Sequence, residues 1–177
     1  MVAASPEPVG RVSTFLRDAG AEARVEEFAE GAPTAADAAR AVGCALDQIV
    51  KSLVFVCGDR PLVVLVPGDR RADPEKVARA VGSESARVAS AHEVEQATGF
   101  APGAVAPFAL PQVDTILLER TLLRHPLVWV GGGSPNHLIG LAPTELVRLS
   151  HARPTAVVKD YDLPGDLPGD LPGEKES

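Results

Sequence analysis

Cysteine is scarce in this chain: Cys44 and Cys57 are the two present among 177 residues. They have no CxxC spacing, so neither a disulfide framework nor a thiol metal clamp is expected, and both read as reduced core residues. Histidine is nearly as scarce, with four in all. Without paired Cys/His spacing, no metal site and no metal cofactor are expected. No apolar run approaches a membrane span, and no basic-then-apolar leader opens the chain. The expected location is the cytosol, with no membrane partner. Lysine is short as well. Only Lys51, Lys76, Lys159 and Lys175 are present, against thirteen arginines.

What is there describes a globular protein. The length fits one domain with a real core, and 45% of the residues are hydrophobic. The net charge of −7 at first argues against a nucleic-acid partner. Its distribution weakens that argument. Residues 160–177 hold six acids and one base, so they account for −5 and leave −2 for the rest. A nearly neutral body can still present a basic patch, and Arg70, Arg71, Arg79, Arg87, Arg120 and Arg124 are candidates. The last stretch repeats Asp-Leu-Pro-Gly three times from Asp162. Such a repeat cannot bury a core and reads as a disordered acidic tail.

Residues 49–57, Ile-Val-Lys-Ser-Leu-Val-Phe-Val-Cys, read as a buried strand closed by Gly58-Asp59. Lys51 is out of place in it, because a buried ammonium loses its water. Two readings stand level on these residues alone: a lysine snorkelling from a strand end, or a functional charge.

The other segments give the expected architecture. Residues 1–9 read as a flexible start, 10–159 as the folded body and 160–177 as the tail. Helices are expected over Arg11–Ala19, from Thr34 to Gly43, from Asp73-Pro74 to Gly82, from Ser90 to Thr98 and over Pro143–Leu149. Strands are expected over Ala23–Phe28, Leu62–Val66, Arg87–Ala89, Val113–Leu118, Leu127–Val130, His137–Leu141 and Thr155–Val158. Asp114 and Glu119 flank the strand at 113–118. Hairpins such as 49–66 imply antiparallel pairing. The fold class is α+β: a mixed, mainly antiparallel sheet flanked by short helices.

Two loops stand out. Residues 99–111 are rich in Gly and Pro yet apolar, so the loop reads as packed, with main-chain N–H groups able to line a pocket. Residues 131–136, Gly-Gly-Gly-Ser-Pro-Asn, lack the Gly-Lys-Ser/Thr ending of a phosphate loop and precede a strand. On spacing alone, each loop is a tight turn more often than a site. Ser134 has no Gly-x-Ser-x-Gly context, which disfavours a serine nucleophile. His137 is a general base, a substrate-gating side chain or a structural partner. Cys57 shares the Lys51 face by strand alternation, and Trp129 reads as core.

In this order, the Lys51 strand, residues 98–108, Val128 to Pro135 and residues 141–146 resemble the YbaK/prolyl-tRNA synthetase-associated family of aminoacyl-tRNA editing domains. The resemblance covers roughly residues 10 to 152. It implies a YbaK-like fold and a free-standing deacylase, which hydrolyses the ester joining a wrong amino acid to tRNA. By matching positions it implies that Lys51 is the key polar residue. It further implies that Gly103, Ala104, Val105, Ala106 and Pro107 position the substrate carbonyl and terminal ribose. Gly131, Gly132, Gly133 and Ser134 would help form the amino-acid pocket, and His137, just after them, is read as a further substrate-binding candidate. The family needs no metal and no cofactor; water attacks the ester and a tRNA hydroxyl assists. Many relatives carry a charged residue in the second loop where this chain has Gly133 to His137, which leaves the amino acid open within the Ala, Ser, Thr or Cys class. The implied partners are mischarged tRNA and a synthetase. The alternatives are a non-catalytic tRNA- or synthetase-binding module of the same fold, and an unrelated Schiff-base lysine enzyme.

Overall fold

A computed structural model describes residues 7–160. In chain order its elements are α1 (Pro8–Asp18), β1 (Ala23–Glu27), α2 (Ala35–Val42), β2 (Val50–Cys57), β3 (Arg60–Pro67), α3 (Pro74–Ala80), β4 (Arg87–Val88), α4 (Ala91–Thr98), β5 (Ile116–Glu119), β6 (Val128–Gly131), β7 (His137–Leu141), α5 (Pro143–Ser150) and β8 (Arg153–Thr155). Short 3₁₀ turns at Leu46–Gln48 and Arg120–Arg124 complete it. The acidic tail, apart from Asp160, lies outside the described residues, as do residues 1–6 of the expected flexible start. Its end, from Pro8, is the first turn of α1.

β2 and β3 form the central hairpin, paired from Val50↔Pro67 to Cys57↔Arg60. Only Gly58 and Asp59 lie between them, and Gly58 takes the positive φ of 67° that such a tight turn needs at its first central position. The ladder thus includes Arg60 and Pro61, ahead of the expected strand start at Leu62. Both faces of the hairpin are buried. Val50, Val54, Val56, Val63 and Leu65 face the larger core with Val105, Phe108, Val130 and Ile139. Phe55, Leu62, Val64 and Val66 face a second core with Val77, Leu117 and Val157. Double-sided burial explains why both strands read as near-continuous apolar runs.

The expected α+β class holds, and the strands form two sheets. One has five strands in the order β4-β2-β3-β5-β8, with β3–β5 and β5–β8 parallel. The other is antiparallel, in the order β1-β7-β6. A parallel bridge from Ile49 to Trp129 joins them. The Trp129 ring lies over Gly140, its cross-strand partner. A Cβ at Gly140 would stand 2.9 Å from ring carbons, so glycine makes room for the indole.

Glu119 differs from its expected place. It is the last residue of β5, at 2% exposure, and does not flank the strand. Its carboxylate accepts from the main-chain N–H of Val157 at 2.9 Å and of Thr121 at 3.1 Å. It therefore ties the start of the 3₁₀ turn to the segment after β8. Glu119→Ala strands both donors. A loss of about 3 kcal/mol is expected, read as a lower midpoint in urea at unchanged slope. An unchanged midpoint would remove Glu119 from the fold's support.

Candidate active site

The candidate site forms where β2 leaves the strands beside it. Val54 carbonyl accepts from Ala89 N–H, so even-numbered residues of β2 turn their main-chain groups away from β3. β4 pairs with Phe55 and Val56 alone. Ser52 therefore presents its N–H and C=O to an edge that β4 does not cover. β6 bridges Ile49, just before β2, and Val105 packs against Gly131 at its far end. A Cβ on Gly131 would stand 2.7 Å from the Val105 carbonyl oxygen. A side chain there would force the loop and strand apart.

The gap is a cleft of about 230 Å³. Lys51, Ser52 and Leu53 line one wall, Gly103, Val105 and Gly131 the opposite one, and the start of α2 from Ala32 to Ala38 the rim. Thr34 caps α2 there, its hydroxyl accepting from Asp37 N–H at 3.0 Å. Thr34 is thus both the expected cap and a rim residue.

Lys51 is half-buried. Its Nζ donates to the Arg70 carbonyl at 2.7 Å, which leaves two ammonium donors uncommitted to that bond. Burial is the main influence on it and lowers its pKa below the ordinary 10.5. The Asp69 carboxylate opposes that shift, and the Arg71 guanidinium adds to it. The lysine does not snorkel freely: its head is hydrogen-bonded beside the cleft.

Gly103 follows Pro102 in a tight turn closed by Ala104 N–H to Ala101 carbonyl at 3.0 Å. Its φ of 83° is the positive value this turn requires at its third residue, a position that suits glycine. From there the chain runs inward. Ala104 and Ala106 are buried core residues, and Val105 alone of the next four lines the cleft. Pro107 lines a separate depression with Phe15, Phe108 and Leu149.

The second loop divides in the same way. Gly131 lines the cleft. Gly132 donates to the His137 carbonyl at 2.9 Å, and Gly133, at φ 102°, packs against the Pro8 main chain. Ser134 Oγ accepts from Asn136 N–H at 3.1 Å and sits 2.7 Å from His137 Nδ1. His137 Nε2 lies 3.7 Å from a Glu27 carboxylate oxygen. This Ser–His–Glu line braces the β6–β7 turn against β1, outside the cleft lining. Cys57 shares a face with Lys51 but stands six residues away, about 20 Å along the strand. It lines a different depression, with Arg60 and Asp114.

The structure thus brings Lys51, Gly103, Val105 and Gly131 to one cleft. It places Ala104, Ala106, Pro107, Gly132, Gly133, Ser134 and His137 in supporting positions. Sequence reasoning missed Ser52 and the Ala32–Pro33 rim. Ser52 carried a signal, being a second polar residue inside an apolar strand.

The aminoacyl-tRNA editing domain model matches residues 29–149, most of this folded body. The chain belongs to the aminoacyl-tRNA editing domain family. It is 34% identical to the uncharacterized protein YwhH of Bacillus subtilis over 143 residues, 80% of this chain and 90% of that one. A solved structure described as a candidate trans-editing enzyme for prolyl tRNA synthetase superposes with a TM-score of 0.81 at 37% identity, covering 89% of this chain and 100% of that one. EbsC of Enterococcus faecalis, described as a candidate Cys-tRNA(Pro)/Cys-tRNA(Cys) deacylase, is 27% identical over 122 residues, 68% of this chain and 74% of that one. The proline–tRNA ligase of Nitratidesulfovibrio vulgaris strain DP4 is 30% identical over 143 residues, and the matched region is 24% of that longer protein. The fold is YbaK-like.

Proposed function

We propose that this protein is a trans-editing aminoacyl-tRNA deacylase, hydrolysing the ester of a tRNA mischarged with a small amino acid. One observation carries the reading: a half-buried, hydrogen-bonded ammonium and the two glycine-bearing loops share one small cleft. The size of the cleft favours a small side chain of the Ala, Ser, Thr or Cys class. Lys51 acts as a fixed charge on the 3′ end, and not as a nucleophile. Its Arg70 bond holds the ammonium in place, and the Asp69 carboxylate favours its charged form. The uncovered Ser52 N–H and the Gly103–Val105 wall border the position of the ester carbonyl, where main-chain donors stabilise a developing oxyanion. Water is the attacking group, and the reaction is written without a metal. The tRNA hydroxyls neighbouring the ester assist. The setting is the cytosol, with a synthetase as the source of the mischarged tRNA.

The surface near Lys51 offers cations for the tRNA backbone. Arg71 and Lys159 are exposed and adjacent, joined by Lys159 N–H to Arg71 carbonyl at 2.8 Å. Arg71 is close enough to Lys51 to influence its titration. A double Arg71→Ala/Lys159→Ala variant is expected to raise KM and keep kcat. Its dependence of log affinity on log salt should flatten by roughly 0.7 per lost phosphate contact on single-stranded ends. A slope equal to that of the wild type would place the tRNA elsewhere.

Deacylation of tRNAs charged with Ala, Ser, Thr or Cys tests the reading. Cleavage of at least one is expected. Binding of tRNA with no cleavage of any would instead favour the non-catalytic module.

A further inference from the structure

Three polar side chains line the cleft: Thr34, Lys51 and Ser52. Two have partners. Thr34 Oγ1 donates to Asp37 Oδ2 at 2.8 Å and also caps α2. Lys51 is held by Arg70. Among the described residues Ser52 Oγ has no hydrogen-bond partner, and it is shielded from water. An unpaired buried hydroxyl destabilises a fold, and native structures hold few of them without a functional reason.

The position sharpens the anomaly. Side chains alternate along a strand, so Ser52 shares its face with Val50, Val54 and Val56, which are core residues. Its cross-strand partner is Leu65, also core. Valine is the residue type of the rest of this stripe. Lys51 points to the opposite face. The uncovered edge of β2 lies between the two side chains. With Lys51 on the 3′ end, as proposed above, an ester lying across that edge turns its amino-acid side chain toward Ser52.

We infer that Ser52 determines specificity: its hydroxyl hydrogen-bonds the side-chain hydroxyl of the aminoacyl group, so the preferred substrate carries serine or threonine and not alanine. This deepens the proposed deacylase reading and rests on it. The α-ammonium is the poorer partner for Ser52. A charge against the apolar stripe loses hydration that one neutral hydroxyl cannot replace, whereas a neutral hydroxyl needs only one good partner there. A cysteine thiol is a weak donor and should fall between serine and alanine. The Ser52 hydroxyl turns about a single bond, so it can meet the substrate without movement of the backbone.

The test uses one tRNA charged with serine or with alanine, and the full chain as wild type and Ser52→Ala. Wild type is expected to cleave the seryl ester roughly tenfold faster in kcat/KM than the alanyl ester. Ser52→Ala should bring that ratio close to one, with seryl cleavage losing about tenfold relative to alanyl cleavage. Ser52→Thr, which keeps the hydroxyl, should retain the seryl preference. Because Ser52→Ala removes an unpartnered hydroxyl, it should melt no lower than wild type. A ratio that Ser52→Ala leaves unchanged, or equal losses on both esters, overturns the inference. A clearly lower melting temperature does so too, since it would mean that Oγ has a partner in the fold. If wild type cleaves neither ester nor any other, the deacylase reading itself fails, which is a separate result.

Discussion

Lys51→Met is expected to lower kcat/KM for ester hydrolysis by at least about a hundredfold, the scale seen when one preorganised donor to reacting oxygens is removed. Methionine keeps much of the unbranched stem and removes the charge. The fold should persist, because the ammonium gives up hydration in the native state and gains a single neutral acceptor in the Arg70 carbonyl, besides the Asp69 charge. Lys51→Arg should not restore the rate. Its planar guanidinium is larger and cannot place a compact charge at the Nζ position, in a cleft of about 230 Å³.

The pH dependence follows from the same residue. Burial lowers the Lys51 pKa, so the ammonium is lost at a lower pH than for an ordinary lysine. Activity should fall as pH rises through that lowered value. Stability moves the other way. The folded state disfavours the charged form, so this group's contribution rises with pH between the folded and the unfolded pKa. A kcat/KM profile whose basic limb is the same in Lys51→Met would contradict this assignment.

Gly131→Ala carries the second large effect. The new Cβ would stand 2.7 Å from the Val105 carbonyl, a main-chain atom that cannot rotate aside. Either β6 or the Val105 wall must move, at about 1–3 kcal/mol for overpacking. The movement falls on the wall opposite Lys51, where a displacement of about 1 Å can reduce a rate a hundredfold. A fall in kcat/KM of at least about tenfold is expected, together with a lower melting temperature. Gly103→Ala is the contrast. Among the described residues, no atom beyond its chain neighbours lies within 4 Å of its added Cβ, so the positive φ is the source of strain. It should cost about 1–2 kcal/mol with a smaller loss of activity. Equal activity losses in the two variants would mean that contact between the loops does not set the geometry.

Much of this was legible in the sequence because local chemistry decided it. Thr34, Asp73 and Ser90 cap their helices as their residue types predict, each accepting from a main-chain N–H of the first turn. The hairpin was legible from its apolar runs, and Lys51 from being out of place in one. The division into two sheets was not, since strand partners far apart in sequence depend on packing that no local pattern records. The 3₁₀ turn at Arg120–Arg124 was hidden because its start is held by Glu119, whose carboxylate looks like a surface charge until β8 covers it. In the site, the Gly103 and Gly131 loops were legible, but not which members face inward. Ala104, Ala106 and Pro107 turn away because the loop is packed into the core on its other side. Ser52 was overlooked because serine in a strand is a weak signal beside a lysine; its missing partner among the described residues is what marks it.

The most direct test of the central claim is a deacylation time course. tRNAs charged with Ala, Ser, Thr and Cys are incubated with wild type and with Lys51→Met at equal folded concentration, beside an enzyme-free control. The account predicts that wild type clears at least one ester well above the spontaneous rate and that Lys51→Met stays at the control rate on all four. Wild-type cleavage that Lys51→Met matches on every ester would contradict it.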